Sequence, residues 1–89
     1  MNKARRKEIR NLLSELEELQ DKLEELHNKV ESIHDEEESA YDNLPESLQA
    51  SDRGWRMEEC ISNLESAMGW LEELNLDELT GSLEDCLSD

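Results

Sequence analysis

Ile9, Leu16, Leu23 and Val30 recur every seven residues, and Leu12, Leu19, Leu26 and Ile33 form a second series between them. Two interleaved seven-residue series are the a/d pattern of a coiled coil. They constrain the first half of the chain to one long helix with an apolar seam. The frame reaches Ala40 and Leu44, but Glu37 stands at an a position, so the seam weakens before residue 41. A helix over about residues 3–41 is roughly 55 Å long. Such a rod is not stable alone in water and needs a partner helix, from the same chain or from another.

Asn43 to Pro45 supplies the break. Proline pushes the residue before it out of helical geometry and is at home in the first turn of a new helix. The sequence therefore predicts a turn and short helix over about 42–51, after which Ser51 or Asp52 caps a second long helix over about 52–74. In that helix Met57, Leu64 and Leu71 make one heptad series and Cys60, Ala67 and Leu74 the next, with Ile61 and Met68 widening the stripe. Beyond Leu74 the frame slips. Leu76, Leu79, Leu83 and Cys86 or Leu87 continue a stripe on a rotated face, as a continuation or a short further helix over about 76–88. The expected fold is all-α: one domain over 1–89, an antiparallel helical hairpin or coiled coil with a proline-containing turn. With 35% hydrophobic residues and no Phe, one copy supplies a thin core, so a homo-oligomer is expected.

The charge pattern points to the same hairpin. Lys3, Arg5, Arg6, Lys7 and Arg10 crowd the start of helix one and Asp35 to Glu38 its end, both against the helix dipole. Antiparallel packing would bring the first cluster near Glu72, Glu73, Asp77, Glu84 and Asp85, and the second near Arg53 and Arg56. A formal net charge of -16 repels nucleic acid and anionic membranes and attracts basic surfaces. No apolar run approaches a membrane span, and the basic start leads into an amphipathic helix instead of a signal-peptide core, so a cytoplasmic location is expected. Cys60 and Cys86 lack any CxxC or His/Cys spacing and read as reduced thiols packed as small apolar residues.

Chemistry concentrates in residues 41–56. Of nine cationic side chains seven precede residue 30, and the other two, Arg53 and Arg56, flank Gly54 and Trp55. An Arg-Gly-Trp-Arg segment at a helix start offers guanidinium forks, an aromatic face and unpaired backbone N–H groups, which suit a phosphate attached to a base. Tyr41 adds a stacking surface, and Arg6 and Arg10 are secondary candidates. The competing reading has Trp55 plugging the end of the bundle while the arginines pair with the Asp35–Glu38 run. His27 and His34, near Glu31 and Glu38, stand two turns apart, about 10.5 Å. They are expected as solvated surface side chains, so no metal site or cofactor is assigned. No nucleophile motif, Gly-rich phosphate loop or Cys-His pair is present, which argues against an enzyme.

The run from Glu36 through Arg56, with its Tyr-Asp-Asn-Leu-Pro-Glu-Ser-Leu-Gln core followed by Ser-Asp-Arg-Gly, resembles a signature of small acidic helical proteins of phages and prophages of Gram-positive bacteria. That signature is E-x3-(F/Y)-D-N-(L/M)-P-E-x-L-Q-x-S-(E/D)-R-G between two Glu-rich helices. The resemblance is specific over the middle quarter of the chain only, and Trp55 and Arg56 are not part of it. It implies a phage setting and a central motif but no established activity; small phage proteins without catalytic machinery often act as antagonists of host defence, and that class is expected here. The first expected function is sequestration of a nucleotide-type immune signal in pockets of an oligomer. The alternatives are an acidic helical inhibitor that mimics DNA or blocks a host protein directly, and a ligand-free structural coiled coil.

Overall fold

Helix formation starts at Asn2, whose Oδ1 accepts the Arg5 N–H at 2.9 Å and so satisfies one of the donors a helix leaves open at its start. The computed structural model of the chain describes residues 1–88, and every regular element among them is helical. In order these are α1 (Lys3–Asp42), α2 (Glu46–Gln49), α3 (Asp52–Glu73) and α4 (Asp77–Asp85). Pro45 stands at the N-cap of α2 with an extended backbone, φ -57° and ψ 149°. Ser51 joins α2 to α3: its hydroxyl donates to the Leu48 carbonyl and its Oγ lies 3.5 Å from the Gly54 N–H. Asn75 Oδ1 accepts the Asp77 N–H at 2.8 Å where α4 begins.

The residues fall into two compact units. One comprises residues 1–24 and the residues from Leu74 on. Here Ile9, Leu13, Leu16 and Leu23 of α1 are half-buried, as are Leu76, Leu83 and Leu87, whereas Leu79 and Cys86 are exposed. Arg6 Nη1 donates to the Leu87 carbonyl at 3.1 Å, so this cation meets a chain-end carbonyl. A shallow groove between Leu13, Leu16 and Gln20 on one side and Leu76 and Thr80 on the other shows that the seam is only loosely closed.

The other unit, Glu25–Glu73, contains the second half of α1, α2 and α3. Gly54 is buried because α2 comes down directly on the start of α3. A Cβ added there would lie 2.1 Å from the Gln49 carbonyl oxygen and 2.6 Å from that of Leu48, so only glycine permits the approach. Gln49 Nε2 in turn donates to the Tyr41 carbonyl at 3.0 Å, tying α2 to the end of α1. Past this corner α3 runs antiparallel to α1, since His27 meets Glu72, His34 meets Glu65 and Tyr41 meets Glu58.

The inward face of α1 is not the a/d frame of the sequence. Residues 9, 16, 23 and 30 face inward as expected, but their companions are Leu13, Gln20, His27, His34 and Tyr41, one position beyond the second apolar series. That series is exposed: Leu12 46%, Leu19 47%, Leu26 38% and Ile33 53%. On α3 Met57, Ile61, Leu64, Met68 and Leu71 turn inward as the stripe predicts and Ala67 is half-buried, whereas Cys60 lies in solvent. Among the described residues no hydrophobic side chain is fully buried. Both cysteines are free exposed thiols, which corrects the expectation that they pack as apolar residues.

Candidate functional site

Three polar rungs link the inward face of α1 to exposed glutamates of α3 in the second unit. They recur every seven residues on α1, at 27, 34 and 41, and every seven on α3, at 72, 65 and 58. In the first, His27 Nε2 lies 3.0 Å from Glu72 Oε1 while Nδ1 faces Glu31 at 3.8 Å. In the third, the Tyr41 hydroxyl donates to Glu58, whose carboxylate holds the phenol above its ordinary pKa. Gln49 bonds the Tyr41 backbone close by, so Tyr41 marks the corner of the hairpin.

The middle rung is the most enclosed. His34 is 8% exposed and is the only buried polar side chain among the described residues. Its Nε2 lies 3.0 Å from Glu65 Oε1 and 3.4 Å from Glu38 Oε2, and its Nδ1 lies 3.1 Å from Asp35 Oδ1. The hydrogen bond to Glu65 and then the one to Asp35 raise its pKa above 6.5, with the charges of Glu38 and Glu65 adding to them against desolvation. The expectation of two solvated histidines is thus overturned, because both rings reach across to α3. The signal was present in the sequence as Glu58, Glu65 and Glu72, spaced by seven like the residues they meet.

The Arg-Gly-Trp-Arg segment opens α3, where the charge pattern of the first turn is exposed. Arg53 and Arg56 are both exposed, and among the described residues neither guanidinium has an ion-pair partner. They line a shallow depression with Glu37, Asp52 and Met57, so Glu37 of the acidic run is a neighbour but not a bonded one. Trp55 is 59% exposed and does not plug the bundle, and Trp70 is 70% exposed. Gly54 serves the α2 contact and presents no open surface. Arg6 and Arg10 belong to the other unit, and Glu72, expected beside the basic start, is engaged by His27 instead.

Compared with protein-family models, curated proteins and solved structures, the chain matches none of them. Among the described residues no helix is long and apolar enough to cross a membrane.

Proposed function

We propose that this chain is a non-catalytic binding protein that assembles with copies of itself and sequesters a nucleotide-type signalling ligand. The observation that carries the reading is the exposed Arg53, Trp55, Arg56 edge: two guanidiniums without ion-pair partners among the described residues and one aromatic face, in a chain of net charge -16. Guanidinium forks recognise phosphate in two-point fashion and an exposed indole takes a base by stacking. Tyr41 stands at the same corner. Resemblance of the central segment to small phage proteins supplies the setting, in which holding such a signal blunts host defence.

Self-association is supported by the exposed apolar stripe of α1. Leu12, Leu19, Leu26 and Ile33 keep the seven-residue spacing that lets identical helices interlock, which makes a second copy the fitting occupant of that face. The acidic surface supports a second reading, direct blockade of a basic host protein.

Isothermal titration with nucleoside phosphates, alongside native mass spectrometry of the protein from phage-infected cells, tests the proposal. Arg53→Ala is expected to abolish nucleotide binding with helicity unchanged by circular dichroism. Equal affinity in wild type and variant ends the sequestration reading, and salt-sensitive capture of a basic protein that survives the substitution favours blockade.

A further inference from the structure

The His34 rung goes beyond the ligand reading and does not depend on it. A neutral imidazole carries one N–H, yet both ring nitrogens of His34 face carboxylate oxygens, at 3.1 Å on Nδ1 and 3.0 Å on Nε2. With the one proton on Nδ1, bonded to Asp35, the Nε2 lone pair points at Glu65 and Glu38. Lone pair and anions repel unless a cation stands between them. A proton fills that role in the imidazolium, and a metal ion fills it with the same three groups.

The distances suit an ion. Ligands bound at about 2.0–2.1 Å around a tetrahedral centre stand about 3.3 Å from one another. His34 Nε2 is 3.0 Å from Glu65 and 3.4 Å from Glu38, and the three ligand atoms all lie within 4.8 Å of one another. Two come from successive turns of α1 and the third from α3, so rigid elements hold the set. Asp35 on the far nitrogen is the partner a metal-bound imidazole ordinarily has, fixing tautomer and ring orientation. The His27 rung provides an internal contrast. There the two carboxylates address different nitrogens and residue 28 is Asn, so no convergent set forms.

We infer that His34 Nε2, Glu38 and Glu65 form a site for one divalent first-row transition-metal ion of the zinc class, with Asp35 as its positioning residue. One imidazole and two carboxylates are a borderline donor set that suits Zn2+ or Co2+ better than Mg2+, which takes oxygen ligands and gives up its waters reluctantly. When the metal–nitrogen bond forms on an imidazolium, the Nε2 proton goes to water and Nδ1 keeps its proton.

Titration of the full chain with Co2+ near neutral pH, in excess Mg2+, reads this directly. The expected result is one Co2+ per chain with a visible absorption band. Glu65→Gln should weaken binding at least about tenfold, Asp35→Asn about 10- to 100-fold, and Glu72→Gln should leave it unchanged. Wild-type affinity in Glu65→Gln, or loss of the band in Mg2+, would mean diffuse binding to an acidic surface and overturns the site. Should the variants lose helicity, the wild type still decides: Zn2+ must shift the His34 ring resonances and spare those of His27, and unmoved His34 signals refute the inference.

Discussion

His27 and His34 sit one heptad apart on the same helix face, each with a Glu four residues on and a Glu across from it on α3, yet they are different environments. The His34 side chain is 10% exposed and that of His27 is 24%. Carboxylates converge on one nitrogen of His34 while Asp35 holds the other, and around His27 they are split between the two. Residue types and spacing are alike. What differs is the residue at the following position, Asn28 or Asp35, and the depth of the ring. Similar heptad chemistry thus yields a simple cross-helix contact in one place and an enclosed ring surrounded by three carboxylates in the other.

The largest expected effect removes the frame both rungs share. Gly54→Ala drives a methyl group into the Gln49 carbonyl and should cost about 1–3 kcal/mol or more, read as a lower denaturant midpoint with both His-Glu contacts loosened by NMR. An unchanged midpoint would mean that α2 yields without cost. Next, His34→Ala should lower the Tm by several degrees and His27→Ala by clearly less, because the first strips a buried partner from Glu65 and the second a half-exposed one from Glu72. Equal losses would erase the comparison.

A pH series sharpens it. The folded-state pKa of His34 is raised above 6.5, so its contribution to stability is fully present below that value and is lost as pH rises through the folded pKa. The metal-free protein should therefore lose Tm between acidic and mildly alkaline pH more steeply than its His34→Asn variant. Matching slopes would assign the whole trend to general repulsion among the carboxylates. The smallest effect is in the titration curve of the His34 ring. Glu65→Gln should move its midpoint down furthest and Asp35→Asn less far, following the order in which those carboxylates raise it. The reverse order would place the dominant contact on the wrong side of the ring.

The all-helical architecture was legible in the seven-residue apolar series, since no other regular structure repeats in that way. Which face α1 turns inward was legible only in part. Two stripes compete on α1, and the intramolecular seam takes the one carrying His27, His34 and Tyr41, each of which finds a carboxylate from α3. The richer apolar stripe at 12, 19, 26 and 33 is left outward. Counting hydrophobic residues chooses a seam rotated by one residue, about 100°, on one of its two sides. The His34 cluster escaped sequence reading for a related reason: Glu65 is thirty-one residues away, and only the pairing of α1 with α3 brings it to the ring. At the corner, Arg53 and Arg56 stood out by their isolation among acidic residues, whereas the need for Gly54 arises from an approach of two backbones that no residue pattern announces.

The evenly spaced rungs also carry a liability. Sliding α3 by one heptad along α1 would set His27 opposite Glu65 and His34 opposite Glu58, keeping two of three contacts, so the rungs alone distinguish poorly between neighbouring alignments. The tight corner built from Gln49, Gly54 and the Tyr41 carbonyl removes that freedom, because it leaves no slack for α3 to travel. The hairpin is aligned like a zip, whose teeth are interchangeable and whose stop alone decides which of them meet.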